Sequence, residues 1–320
     1  MSGPTDENLL YQVASLYYEQ DQTQEQIGTR LHFTRWKVGR MLVEAREAGI
    51  VRIEVVHPRS RVHTVEKALC DRFGLRDAVV VSAGRAQDEK ELRSRVAKAA
   101  ADYLAALRPA PVLLGVSWGR TLDLVARGIP AGWARGVDVI QINGGLSRSH
   151  RPTSAQDMAS RIAHQGSGTV TLLPVPAIVE HEDTRRVLER DRAVADILDH
   201  ARRADVMLFS PGGMGTDSVL VESGHIDPAD VERLASLGAV GDVVGRFLDR
   251  SGAVVDPGLD ARTLGVSFDA LRSAPVSIAV ASGAAKHPVC AAVVKGRLCN
   301  TLVTDDQTAR WLLDRETGEV

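Results

Sequence analysis

Between residues 7 and 56 the apolar positions recur first at helical spacing and then with period two. A helix over about Glu7 to Gln20 carries Leu9, Leu10, Val13, Leu16 and Tyr17 along one side. A second opens at Thr23, with Gln26 three residues on to complete a capping box, and sets Ile27 and Leu31 at i, i+4. A third opens at Thr34 and carries Val38, Leu42 and Ala45 on its apolar face, with Arg35, Trp36, Lys37 and Arg40 around the rest. Gly49 is a stop signal, and Ile50-Val51-Arg52-Ile53-Glu54-Val55-Val56 alternates as a wing strand does. The pattern predicts a winged helix-turn-helix over residues 1–57.

The periodicity then changes. A polar stretch around His57-Pro58-Arg59-Ser60-Arg61 predicts a domain boundary, followed by a helix from about Val62 to Phe73. Short apolar runs, Ala78-Val81, Val112-Val116, Val137-Ile142, Val170-Leu173, Val206-Phe209, Val276-Ala281 and Thr301-Val303, alternate with helical segments such as Glu89-Leu107, Thr184-Arg203 and Pro288-Val294. That order predicts a buried, mostly parallel sheet wrapped by helices, a Rossmann-like α/β domain over residues 58–320.

Charge sharpens the first domain. The whole chain of 320 residues has a formal net charge of -2, which draws no nucleic acid in general. From Arg30 to Arg46, however, Arg30, Arg35, Lys37, Arg40 and Arg46 face one acid, Glu44, so positive charge gathers on the third helix. This is where phosphates and guanine edges of double-stranded DNA are met. Thr23, Gln24, Thr34, Arg35, Trp36, Lys37 and Arg40 are the candidate DNA contacts. Cys70, Cys290 and Cys299 have no metal-ligand spacing, the histidines are scattered singly, and no apolar run approaches 18 residues. A cytoplasmic, reduced protein without metal, cofactor or membrane span is expected.

Four strand-to-helix loops in the second domain carry glycines and hydroxyls, at the strand ends where open α/β sheets bind ligands. They are Ser117-Trp118-Gly119-Arg120-Thr121, Asn143-Gly144-Gly145-Leu146-Ser147, Ser210-Pro211-Gly212-Gly213-Met214-Gly215-Thr216, and Ser282-Gly283-Ala284-Ala285-Lys286. The first offers backbone N–H groups, hydroxyls and a guanidinium to an anion at a helix start. Gly115-Val116-Ser117-Trp118-Gly119 also satisfies the G-x-S-x-G nucleophile elbow, although neither an HGGG-type loop nor a well-placed late histidine accompanies it. Trp118 is either a lid or a packing residue. Asp242 is either a general base for a sugar-phosphate isomerase or deaminase or, more simply, a helix cap or hydroxyl acceptor.

Leu16-Tyr17-Tyr18, Thr23-Gln24-Glu25-Gln26-Ile27, Arg35, Val38, Arg40, Leu42 and Glu47-Ala48-Gly49-Ile50-Val51 resemble the head of SorC-type transcriptional regulators. In the second domain the resemblance is carried by Gly115-Val116-Ser117-Trp118-Gly119-Arg120-Thr121-Leu122, Gln141-Ile142-Asn143-Gly144-Gly145 and Gly238-Ala239-Val240-Gly241-Asp242. Gly283 with Lys286, and Asn300-Thr301-Leu302-Val303-Thr304-Asp305, continue it to nearly full length. It implies an effector domain similar to sugar-phosphate isomerases and glucosamine-phosphate deaminases, and a non-enzymatic regulator that binds operator DNA as a homodimer or homotetramer. It also implies a sugar or sugar-phosphate effector over the strand ends, contacted by Ser117, Trp118, Gly119, Arg120, Thr121, Asn143, Gly144, Gly145, Gly212, Gly213, Gly215, Asp242, Gly283 and Lys286. Three departures stand out: His32 where the turn usually has glycine, Gly39 where serine is common, and Asn143 where a relative forming an imine needs lysine. Non-covalent effector binding is therefore expected.

Overall fold

In the computed structural model, which describes residues 7–20, 22–51, 61–84, 86, 88–145 and 155–314, the chain divides into two units, Met1–His57 and Pro58–Val320. The first holds α1 (Glu7–Tyr18), α2 (Gln24–Leu31) and α3 (Arg35–Glu47). The capping box of α2 closes in both directions: the Gln26 N–H donates to Thr23 Oγ1 at 3.3 Å and the Thr23 N–H to Gln26 Oε1 at 2.9 Å. Thr34 caps α3 by accepting from the Lys37 N–H at 3.2 Å. Both hydroxyls satisfy donors that a first helical turn leaves without intrahelical partners.

The turn between α2 and α3 is tight. His32 ends α2 in the left-handed region, at φ 58° and ψ 39°, with its N–H bonded to the Gly28 carbonyl. A Cβ on Gly28 would stand 2.7 Å from the Phe33 carbonyl oxygen, so the turn closes over a residue that has none. Leu10, Val13, Leu16, Ile27, Val38, Met41, Leu42 and Ala45 fill the core of this unit, flanked by Ile50 and Val51. The remaining wing positions, 52–56, and the boundary stretch 57–60 lie outside the described residues.

Among the described residues the second unit holds nine strands: β1 (Asp77–Val81), β2 (Leu113–Val116), β3 (Asp138–Gln141), β4 (Thr169–Thr171), β5 (Val206–Phe209), β6 (Gly241–Val243), β7 (Arg246–Leu248), β8 (Val276–Val280) and β9 (Thr301–Asp305). Seven form one sheet in the order β1-β9-β8-β5-β2-β3-β4, with every neighbouring pair parallel. Twelve helices accompany them: α4 (His63–Phe73), α5 (Glu89–Ala106), α6 (Arg120–Gly128), α7 (Ala155–Gln165), α8 (Glu182–Arg190), α9 (Arg192–Ala201), α10 (Val219–Glu222), α11 (Pro228–Ser236), α12 (Pro257–Asp260), α13 (Phe268–Ser273), α14 (His287–Lys295) and α15 (Asp306–Asp314).

Because side chains alternate across a strand, the central runs are apolar on both faces. Val79, Leu114, Val116, Leu208 and Ile278 pack under α5, α6 and α7. Ala78, Val80, Met207, Phe209 and Ala279 pack on the other face with α4, α13, α14 and α15. The result is the doubly wound, Rossmann-like sheet that the alternating runs predict.

Two expectations are corrected. The helix expected over Thr184-Arg203 is two helices, because Asp191 is extended, at φ -63° and ψ 130°, and caps α9 by accepting from the Ala193 N–H at 3.0 Å. Asp242 caps no helix: it lies in β6, which pairs antiparallel with β7 in a hairpin apart from the main sheet. Gly241-Asp242-Val243 and Arg246-Phe247-Leu248 form no apolar run that would mark strands in the sequence.

The two special positions in the first turn have opposite consequences. Gly28→Ala should lower the stability of the helical unit by about 1–3 kcal/mol, since a backbone oxygen stands in the way of the new methyl. His32→Gly should raise it by up to about 1 kcal/mol by relieving the left-handed penalty. Thermal unfolding followed by circular dichroism checks both signs.

Candidate effector cleft and nucleic-acid interface

In the sheet, β3 and β4 follow β2 on one side, whereas β5, β8 and β9 lie on the other, so chain order reverses between β2 and β5. At such a switch point the loops leaving the two strands diverge and leave a crevice. Here the crevice is a cleft of about 210 Å³. The loop after β2 supplies Ser117, Trp118 and Gly119 with Arg120 and Thr121 of α6, and the loop after β5 supplies Ser210 to Gly215. Asn143 follows β3, Asp242 and Gly245 come from the hairpin, and Ala285 and Lys286 precede α14.

Of the effector residues expected from sequence, Ser117, Trp118, Gly119, Arg120, Thr121, Asn143, Gly212, Gly213, Gly215, Asp242 and Lys286 line this cleft. Gly144, Gly145 and Gly283 do not. A Cβ on Gly144 would lie 2.2 Å from the Pro176 carbonyl oxygen and one on Gly145 2.9 Å from the Ala155 Cβ, so these glycines answer to packing. The Gly283 N–H donates to Asp305 Oδ2 at 2.9 Å and is committed there. Glu89 and Arg93 of α5, Asp217, and Met214 also line the cleft. Glu89 and Arg93 escaped the sequence reading because they sit on a helix opening after β1, with no glycine motif to mark them.

The cleft wall is tied together by backbone. Gly212 and Asp242 form an isolated antiparallel bridge, N–H to O at 2.8 Å one way and 3.0 Å the other. A Cβ on Gly212 would fall 1.8 Å from Asp242 Oδ1, so the carboxylate occupies the place where a side chain would stand. Asp242 Oδ2 accepts from the Gly245 N–H at 3.1 Å. Lys286 Nζ donates to the Pro211 carbonyl at 2.8 Å. Burial holds the Lys286 ammonium below the usual lysine range, with Asp242 opposing that shift and Arg93 and Arg120 reinforcing it.

Asn143 is buried, and its Oδ1 has no hydrogen-bond partner among the described residues. An acceptor left so costs free energy until a donor meets it. The start of α6 is likewise open: Gly119, at φ 141°, is its N-cap and provides no side-chain cap, which leaves first-turn N–H groups for an anion. Trp118 is a fixed wall of the cleft, with its indole N–H bonded to the Gly144 carbonyl at 2.8 Å and its ring 6.0 Å from that of His225. No histidine lines the cleft among the described residues, so Ser117 of the G-x-S-x-G sequence lacks there the imidazole that a hydrolase triad places beside its nucleophile. Gly115 in that sequence is a packing residue, since a Cβ there would lie 2.6 Å from Ile142 Cγ2.

On the helical unit Arg35, Trp36, Lys37 and Arg40 are exposed along α3. Lys37 Nζ lies 4.0 Å above the Phe33 ring. Thr23, Gln24 and Arg35 meet at one hollow with Tyr17 and Tyr18, a meeting that only the crossing of the helices brings about. Thr23 and Thr34 give their hydroxyls to helix caps, so they set the helices rather than stand free. A Cβ on Gly39 would come within 3.4 Å of Gln24 Oε1, which places Gln24 beside the middle of α3.

The family model described as "Putative sugar-binding domain" matches residues 57–314. Over 308 residues the chain is 30% identical to the deoxyribonucleoside regulator of Bacillus subtilis (strain 168), covering 96% of this chain and 98% of that one. It is 29% identical to the sorbitol operon regulator of Klebsiella pneumoniae over 319 residues, 98% of this chain and 100% of that one. The solved full-length structure of that regulator, SorC, superposes with a TM-score of 0.71 at 28% identity, covering 97% of this chain and 99% of the other. These matches define a transcriptional regulator with a C-terminal sugar-binding domain rather than an enzyme. The chain belongs to the SorC family.

Burial pushes the Asp242 carboxyl from 3.8 up to about 6, against the opposing effects of Lys286 and the Gly245 N–H. Folding thus favours the protonated acid: its contribution is fully present below pH 3.8 and is lost as pH rises through about 6. Asp242→Asn should accordingly gain about 2–3 kcal/mol over the parent at neutral pH and almost nothing at pH near 4. Denaturant titrations of both proteins at the two pH values measure the difference, and one that is constant with pH contradicts the assignment.

Proposed function

We propose that the chain is an effector-controlled regulator of carbohydrate genes. Residues 1–57 bind double-stranded operator DNA through α3, and residues 58–320 bind a sugar or sugar phosphate and join copies of the chain as a homodimer or homotetramer. The observation that carries this reading is the presence in one chain of an exposed basic helix and a switch-point cleft in which buried Asn143 Oδ1 has no partner among the described residues and the buried Asp242 also lines the wall. Relatives named for sorbitol and deoxyribonucleoside control support the carbohydrate class. A protein that reads chromosomal operators works in the cytoplasm.

In the cleft, sugar hydroxyls donate to Asn143 Oδ1 and Asp242, and a phosphate sits at the open start of α6 within the field of Lys286. Binding is non-covalent in this reading: Asn143 supplies no amine, and the Lys286 amine is engaged by the Pro211 carbonyl. On the DNA, Arg35, Lys37 and Arg40 divide between base edges and phosphates, while Thr23, Gln24 and Thr34 position the helices. Two heads of an oligomer then meet half-sites about 34–36 Å, or a multiple of this, apart.

Replacing Arg35, Lys37 and Arg40 together by alanine should abolish duplex binding at moderate salt without lowering thermal stability, since all three are exposed. Normal mobility shifts by the triple variant remove α3 from the model. A thermal-shift screen against ribose, fructose and glucosamine phosphates and the parent sugars should find stabilisation that needs the phosphate. Lys286→Ala should weaken that binding about tenfold or more with the circular dichroism unchanged. Equal stabilisation by free sugar and phosphate removes the phosphate, and an unchanged affinity removes the lysine.

A further inference from the structure

Trp36 is the most exposed large apolar side chain among the described residues, at 87%, and it is the second residue of α3. The core-facing side of α3 is complete without it: Val38, Met41, Leu42 and Ala45 are all buried. Two residues before Val38, the indole stands about 200° round the helix, on the outward side. Arg40 and Val43 follow it at i+4 and i+7, Val43 being 41% exposed, and Gly39 at i+3 adds no side chain to crowd the indole. The outward stripe is therefore aromatic, cationic and aliphatic in turn, with Arg35 and Lys37 on either side of the indole.

A phosphate backbone takes cations and N–H donors and gains nothing from a valine or an indole face. The edges of G·C pairs in the major groove are polar, whereas a thymine presents its C5-methyl group. Residues in the first turn of a recognition helix are those that reach base edges. Cations at Arg35, Lys37 and Arg40 around the indole favour a polyanion over an apolar protein face as its occupant.

We propose that Trp36 packs against the C5-methyl group of a thymine in the major groove and selects that base at one position of each half-site. The proposal rests on the reading of residues 1–57 as a duplex-binding head, and its test separates the two. The full-length protein and its Trp36→Ala and Trp36→Phe variants are each used to select duplexes from a random-sequence library. The parent should enrich a half-site with a fixed thymine, and replacing that thymine by deoxyuridine in the enriched duplex should weaken binding about fourfold per half-site, the value of one buried methyl. Trp36→Phe should keep this discrimination, and Trp36→Ala should bind both duplexes alike. Equal binding of the two duplexes by the parent, or discrimination that survives in Trp36→Ala, overturns the proposal. Failure of the parent to enrich any duplex overturns the DNA-binding reading itself, and with it the proposal.

Discussion

The second unit turns on a bridge of two backbone hydrogen bonds between Gly212 and Asp242. Gly212 leaves the end of β5 and Asp242 belongs to a hairpin outside the main sheet, so this bridge pins a separate small structure over the mouth of the switch point. It works only because Gly212 has no Cβ, and the vacated volume receives the Asp242 carboxylate. The carboxylate is buried as a consequence, and burial raises its pKa toward neutrality. One close backbone approach thereby sets the shape of the cleft, the position of its acid and the protonation of that acid. Lys286, bonded to the neighbouring Pro211 carbonyl, closes the same corner with the opposite charge.

The cleft is balanced rather than basic. Arg93, Arg120 and Lys286 line it against Glu89, Asp217 and Asp242, and Arg120 is held by the Asp217 carbonyl and by Glu222 at 3.3 Å. A fixed array of this kind suits a ligand that carries both an anion and hydroxyls, because each group finds a partner already oriented. The helical unit is arranged differently, with Arg35, Lys37 and Arg40 exposed on the surface of α3. The net charge of -2 hides this local concentration, since acids of the same unit, Glu7, Glu19, Glu25, Glu44 and Glu47 among them, offset those cations in the sum.

Much of this was legible from residue order, for identifiable reasons. Thr23 with Gln26, and Thr34, mark helix starts by local chemistry, and local chemistry needs no tertiary contact to be read. Six of the seven strands of the sheet show because burial on both faces makes them largely apolar, whereas the edge strand β4 is partly exposed and shows only through Val170 and the apolar residues that follow it. The β6–β7 hairpin did not show, because Gly241-Asp242-Val243 and Arg246-Phe247-Leu248 each mix charged and apolar residues and the pairing partner at Gly212 is distant in sequence. The family resemblance implies ligand contacts at Asn143, Gly144 and Gly145 alike, but the requirement at the two glycines is steric and only Asn143 reaches the cleft. Glu89 and Arg93 arrive there by the packing of α5 along β1, and nothing local announces that. The break at Asp191 was lost because the apolar spacing continues across it.

In the proposed function one chain joins a duplex-binding head to a sugar-sensing cleft, so that occupancy of one changes affinity at the other. Coupling of this kind is reciprocal: the factor by which the sugar ligand changes duplex affinity must equal the factor by which duplex changes sugar affinity. The direct measurement is a pair of titrations on the full-length protein, duplex binding by fluorescence anisotropy with and without the sugar ligand found by thermal shift, and sugar binding by calorimetry with and without saturating duplex. The two factors should be equal and well away from one. Duplex and sugar affinities that ignore each other would contradict this coupling.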